Sequence, residues 1–527
     1  MESFQGSSLL FPIANRFNQR LDQVNYIAAN ALLLFIIAPL YRKYIVNSKT
    51  VSTSSKHTIS TFIGITTLLF VFGINNALHL ACLTSICIIC VKLIPVFPTN
   101  IIPSFYLIGA LSYLHVARVL LASNSTNATA SMHVAIPMCI MVEKLTALCF
   151  SVLDFEIYKN GKKGDSGRNP ELPENYLRNQ HIVKRVPTVL EIVSFSFMFC
   201  GVMTGPPFYF NDFIKYIENT SRNTTSSTKN SSKSSFPGLL KALIAYSVLI
   251  LGKILQSKFP WSSFSDEIWL HDQSFLYLTI YSTGAAFAAR CVYVYAWKFG
   301  EGLCNAAGFG NDENSKTEEN DENLEKTQNS EKTKNSPVCN INWLDYELAP
   351  NARQAINSWN LQTIVWLRLV AFERVPKTYR NIAAFSLSIV WHGVLPGYWL
   401  AFGIFHLALN ASKSLNQVFG NGSRKSRVLE GLWQCFCVIS VQVCFNYAGV
   451  LFNLRHWQAC LNFLKRTYKA LNRFLSRSGR GITKTGKCFT QKLRLSTLRY
   501  FAVPIICLTI PFVTNFVKKT DIPKKSE

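Results

Sequence analysis

An all-α, polytopic membrane fold is what this sequence predicts, and three observations predict it. Of 527 residues, 49% are hydrophobic and only 16% are charged, where soluble chains carry about 25% charged residues. Apolar runs recur along the whole length. The net charge of +25 fits basic residues gathered in cytoplasmic loops against anionic headgroups, which sets nucleic acid aside as a partner.

The apolar segments are 26–41, 58–73, 77–91, 101–121, 134–152, 187–210, 239–255, 275–297, 361–370, 382–409, 432–454 and 501–516. One crossing needs about 20 apolar residues. Several runs are shorter, so some must be re-entrant, tilted or buried against other helices. About eleven transmembrane helices are expected, in one domain over 1–518 with a tail at 519–527. The first 23 residues lack the core and cleavage site of a signal peptide, so the first apolar run reads as an uncleaved anchor.

Loops supply orientation. Arg42, Lys43, Lys49 and Lys56 place the first loop in the cytosol and the N-terminus in the lumen. The basic stretch 158–185 is cytosolic by the same rule. Stretch 219–235 is Ser/Thr/Asn-rich, with glycosylation sequons at Asn219, Asn223 and Asn230; Asn124 and Asn127 head two more. Stretch 311–336 is polar enough to stay disordered. Residues 451–500 hold many Lys and Arg but no Asp or Glu, while Leu461, Leu464, Tyr468 and Leu471 keep helical spacing. An amphipathic helix on the cytoplasmic membrane face and a plain basic loop both fit; attraction to coenzyme phosphates is a third reading. Lys524 and Lys525 resemble a dilysine retrieval signal of the endoplasmic reticulum, which is read in the cytosol. Cys87 and Cys90 have metal-ligand spacing without a second pair, so packed thiols are expected and no metal site.

Between residues 382 and 405, His392 is the one side chain that titrates near neutrality. An imidazole in such a run needs a reason. Trp391 and Trp399 can wall a pocket, while Gly393, Pro396 and Gly397 loosen or kink the helix. On residues alone, a packed core histidine fits as well as a catalytic one. No G-x-S-x-G motif occurs, and no Cys adjoins the region. A neutral His392 acting as general base in a direct transfer therefore suits the segment better than a covalent intermediate does.

Asn360 lies upstream, and Val375-Pro376-Lys377 offers a turn that would bring the two segments together. Its carboxamide can orient the imidazole or donate to an oxyanion. Read alone, it is a helix cap. Arg368 and Arg374 suit coenzyme phosphates or a membrane interface equally. Glu143 and Lys144 suggest an ion pair or helix packing.

Trp391-His392-Gly393-x-x-Pro396-Gly397-Tyr398 resembles the signature of the membrane-bound O-acyltransferase family. Trp359-Asn360-x-Gln362-Thr363-x-x-Trp366-Leu367 resembles that family's upstream motif. The nearest likeness is to the branch acting on lysophosphatidylethanolamine, lysophosphatidylserine and lysophosphatidylcholine. Residues 21–26, 185–191, 205–207 and 305–310 extend the resemblance, with 219–235 and 311–336 as loop insertions. It implies about eleven helices enclosing an intramembrane chamber, with His392 and Asn360 facing each other and the other motif residues binding substrate. It also implies acyl-CoA from the cytosol as co-substrate, a lysophospholipid from the bilayer, and no further cofactor. A relative with a sterol, diacylglycerol or peptide acceptor is the first alternative, and the Trp-Asn-x-Gln-Thr segment argues against it. A transporter is the second; its inverted repeats and paired intramembrane charges are not apparent.

Overall fold

In hydrocarbon, every backbone N–H and C=O must find its partner within the protein, and a helix supplies that partner locally. The computed structural model describes residues 6–123, 132–164, 176–203, 205–219, 235–310, 336–419 and 427–478. Among these no β-strand forms. Besides two short helices at Phe11–Arg16 and Tyr176–His181, the chain forms α1 (Leu21–Val46), which includes π-helical turns. There follow α2 (Thr53–Leu93), α3 (Ile101–Ser123), α4 (Met132–Gly164), α5 (Val189–Ser196), α6 (Phe210–Asn219), α7 (Phe236–Lys258), α8 (Glu267–Asp272) and α9 (Phe275–Ala306). Then come α10 (Trp343–Glu347), α11 (Ala352–Ser358), α12 (Leu361–Val370), α13 (Arg380–His392), α14 (Pro396–Phe419), α15 (Arg427–Leu454) and α16 (Trp457–Ser478).

Seven helices among the described residues are long and apolar enough to cross a membrane: α1, α2, α3, α4, α7, α9 and α15. The protein is a multi-pass membrane protein. Several segments counted toward eleven crossings have a different form. Runs 58–73 and 77–91 both fall in α2, where non-helical backbone at Gly73 (φ 77°, ψ 175°) separates two helices across a kink. Run 187–210 is not one helix: α5 ends at Ser196, and non-helical backbone passes through Gly205-Pro206-Pro207 before α6. Proline lacks the N–H that a helix there would require. At 10 residues, α12 is about half a crossing. Run 382–409 does not merely kink; it divides into α13 and α14. Run 501–516, the dilysine tail, the sequons at Asn124, Asn127, Asn223 and Asn230, and nearly all of insertion 311–336 lie outside the described residues. Asn219 closes α6.

The chain forms two compact units. The first comprises Met1–Ser247, Tyr295–Ile341 and Asn360–Trp391. Its centre is α4, which is 83% buried along its most apolar stretch, against 33% for α2 and for α3. Helices α2, α3, α5 and α12 pack on it. Outward apolar side chains such as Phe62 and Phe105 are exposed, as lipid-facing positions would be. Thr363 bonds Glu143, Trp366 bonds Thr146 and Arg374 bonds Asp154, each pair separated by 220 residues. A constant offset means that α12 and the turn after it run parallel to α4 and in register. Glu143 and Lys144 do not form the expected ion pair with one another. Lys144 donates to the Phe195 carbonyl at 2.5 Å and lies over the Phe195 and Phe208 rings. Packing between helices is the role that geometry shows.

The second unit comprises Val248–Val294, Asn342–Trp359 and His392–Glu527. Its largest helix contact is α14 on α15. Gly397 allows it: a Cβ there would sit 2.4 Å from the Leu451 carbonyl oxygen, and the Gly397 N–H donates to the Arg455 carbonyl at 2.9 Å. Helix α16 is amphipathic, as its spacing predicts, but its apolar face meets protein. Phe463 packs edge-on against Phe264 and beside Tyr447. Arg466 is buried and donates to the Leu270 and Gln273 carbonyls, both at 2.6 Å. Amphipathicity shows that one face is covered, not by what.

Candidate active site

Asn360 occupies the cap position of α12, but its side chain does not cap. Its backbone is left-handed (φ 53°, ψ 51°), a conformation Asn adopts more readily than most residues. Asn340 does the capping instead. The Asn340 carbonyl accepts from Leu361 N–H at 2.9 Å, and its side-chain Oδ1 accepts from Gln362 N–H at 2.8 Å. Its Nδ2 then donates to Asn360 Oδ1 at 2.9 Å. The cap expectation for Asn360 is thus corrected: a second asparagine, buried at 1% exposure, supplies that acceptor from outside the helix. Sequence reading missed Asn340 because its partners lie about twenty positions away.

The rest of the upstream motif anchors α12 in the first unit. Gln362 Nε2 donates to the Cys339 carbonyl at 2.9 Å, while Tyr209 donates to the Gln362 carbonyl at 2.6 Å. The Thr363 hydroxyl donates to Glu143 at 3.0 Å. Trp366 is fully buried, with its indole N–H on Thr146 at 2.9 Å. The polar groups of these three residues bond to protein partners within the first unit. Behind Tyr209 stands His181, with ring centroids 4.5 Å apart. Burial, then the Lys215 charge, pushes the His181 imidazole down to about 4.

The two arginines between the motifs behave differently from free phosphate ligands. Arg374 grips Asp154 with two nitrogens at 3.0 and 2.8 Å and stacks over Phe150. Arg178 holds the same carboxylate. Arg368 pairs with Glu373 at 2.8 Å and keeps 47% of its side chain exposed. Of the two, Arg368 is the more exposed, at 47% against 12% for Arg374.

Trp391 carries the last peptide before His392 in the first unit. Its ring lies 6.3 Å from Trp366, and its carbonyl accepts from Arg118 at 3.0 Å. A cation suits a helix C-terminus, where carbonyls lack helical partners. An arginine inside apolar run 101–121 was a signal available in the sequence.

In the second unit, His392 sits among aromatic rings. Phe452 meets it edge-on at 5.0 Å, Phe402 lies at 5.4 Å and Tyr398 at 6.0 Å. Gly393 follows with φ 145°, a value that L side chains rarely adopt, and a Cβ there would lie 2.9 Å from the Tyr398 ring. Pro396 opens α14, where its missing N–H costs nothing. Trp399 is exposed, so of the two tryptophans expected to wall a pocket it points away from the core. Trp359, the residue before Asn360 in the motif, belongs to this unit, with its ring tilted 4.7 Å from Tyr346 and edge-on 6.1 Å from Tyr293. Cys87 and Cys90 are buried thiols of α2.

Membrane-length helices with polar motifs set in apolar surroundings define an integral membrane protein. The chain belongs to the membrane-bound O-acyltransferase family, whose profile matches residues 67–453. It is 27% identical over 491 residues to lysophospholipid acyltransferase 6 of Drosophila melanogaster, covering 89% of this chain and 62% of that protein. It is 27% identical over 483 residues to membrane-bound glycerophospholipid O-acyltransferase 2 of Homo sapiens, covering 89% and 86%. With the human protein 1 of that name it shares 26% over 475 residues, covering 88% and 89%.

Proposed function

We propose that this protein is a lysophospholipid O-acyltransferase of the endoplasmic reticulum membrane, with its N-terminus lumenal and its C-terminus cytosolic. It transfers a fatty acyl group from acyl-CoA to the free sn-2 hydroxyl of a lysophospholipid, with no metal or further cofactor. The observation that carries this reading is His392, placed at a helix break and held by three aromatic rings inside the family-matched region. The names of the related proteins support the acceptor class.

In this mechanism, neutral His392 takes the hydroxyl proton. The oxygen attacks the thioester carbon, the C–S bond breaks, and coenzyme A leaves as thiolate and recovers the proton from the imidazolium. A thiol with a pKa near 8.5 is a fair leaving group. The Asn360 amide N–H stabilises the developing oxyanion, the kind of donor whose removal costs about 100- to 1,000-fold in rate. Gln362, Thr363 and Trp366 act by holding α12, and the Arg368 guanidinium is the better placed of the two for a coenzyme phosphate. Gly393, Pro396 and Gly397 shape the helix break.

The test is acyl transfer in membranes depleted of endogenous activity, with oleoyl-CoA and a panel of lysophospholipids. Wild type incorporates label into phospholipid, and His392→Ala, present at equal level, does not. Equal incorporation by the variant removes His392 as the base; incorporation only into sterol or diacylglycerol removes the acceptor class.

A further inference from the structure

We propose that Asn340 is a positioning residue that fixes which edge of the Asn360 carboxamide is offered to the reaction. The proposal rests on the oxyanion-donor reading of Asn360 given above.

The geometry works by elimination. An amide side chain has a donor end and an acceptor end, and either can in principle face a given neighbour. A backbone N–H has no such freedom; it only donates. Gln362 N–H points at the Asn340 side chain from 2.8 Å, so the atom there must be Oδ1. The other end of that amide is therefore Nδ2, and it lies 2.9 Å from the Asn360 side chain. The Asn360 atom that receives it must in turn be oxygen, so Nδ2 is the edge Asn360 has left for a ligand.

Two further features make the arrangement hold. Asn340 is buried, so water does not compete for its amide. Its main-chain carbonyl also accepts from Leu361 N–H at 2.9 Å, which pins residue 340 to the first turn of α12 at two points. Because Asn340 satisfies those N–H groups, the Asn360 side chain is released from capping.

The decisive substitution is Asn340→Asp. An ionised carboxylate still accepts from Gln362 N–H and remains a good helix cap, but it offers only acceptors to Asn360. The Asn360 amide must then turn over and present its oxygen to the substrate. Above neutrality, where the new side chain is ionised, kcat is expected to fall about 10- to 100-fold, with KM for oleoyl-CoA and protein level in the membrane near wild type.

The second arm is a double-mutant cycle with Asn360→Ala. If residue 340 acts through residue 360, adding Asn340→Asp to Asn360→Ala changes kcat by no more than about twofold. An Asn340→Asp enzyme with wild-type kcat, beside an impaired Asn360→Ala, overturns the positioning proposal and leaves the donor role of Asn360 standing. The same loss in both backgrounds also overturns it, because that is the mark of a structural residue. Full activity in Asn360→Ala overturns the donor reading itself, and the positioning proposal with it. Should Asn340→Asp reach the membrane poorly, Asn340→Ser enters the same cycle: its hydroxyl can cap α12 but is too short to reach Asn360.

Discussion

The first unit holds Asn360 by hydrogen bonds, and the second holds His392 by shape. Asn340 bonds the Asn360 side chain, Gln362 N–H bonds Asn340, and Tyr209 bonds the Gln362 carbonyl, one chain of directed polar contacts. Around His392 stand Tyr398, Phe402 and Phe452, whose rings fix the plane of the imidazole through packing. The difference follows from what each group must do. A carboxamide has two chemically opposite ends, so it is useful only when a polar neighbour decides which end faces outward. An imidazole base needs a fixed plane, which packed aromatic rings help to provide.

That contrast can be broken from either side. The largest effect is expected from His392→Gln, which keeps bulk among the rings but not the base. Its kcat should fall about 1,000-fold, read as initial acyl-transfer rate at matched protein level. Next comes Gly397→Ala. The added Cβ meets main-chain atoms of Leu451 and Arg455, which cannot swing aside, so a loss of about 1–3 kcal/mol should show as a lower unfolding midpoint in detergent. Tyr209→Phe removes one hydrogen bond to the Gln362 carbonyl and leaves a buried acceptor, a cost of about 1–2 kcal/mol. Its shift in midpoint should be smaller than that of Gly397→Ala.

The smallest effect concerns acid. The His181 value is depressed from 6.5 to about 4 by burial and by the Lys215 charge, so the fold favours the neutral ring. That stability is present above 6.5 and is lost as pH falls toward 4. His181→Phe should flatten the acid limb of a plot of unfolding midpoint against pH; an unchanged limb would show that other groups set it.

Much of the architecture could be read from the sequence, because apolar runs dictate helices and the turn at Val375-Pro376-Lys377 is written in its proline. The failures have a common physical cause. Run 187–210 is apolar enough for a crossing, yet hydropathy is blind to the backbone demands of Gly205-Pro206-Pro207. The stripe on α16 was legible, but not that Phe264 and Tyr447 would cover it. Asn360 did stand at a helix start, as a cap should. That Asn340 would take the capping role depends on a contact no local pattern encodes. His392 stood out because one imidazole in an apolar run is conspicuous, while its ring partner Phe452 comes from another helix.

The constant 220-residue offset between α12 and α4 has a consequence in time. At about 5–20 residues per second of synthesis, tens of seconds separate the appearance of Glu143 and Asp154 from that of Thr363 and Arg374. During that interval the most buried helix of the first unit carries Glu143 without Thr363, and Asp154 with Arg178 but not yet Arg374. The nascent chain must keep them watered, or shielded by something else, until the motif-bearing segment emerges to dock alongside.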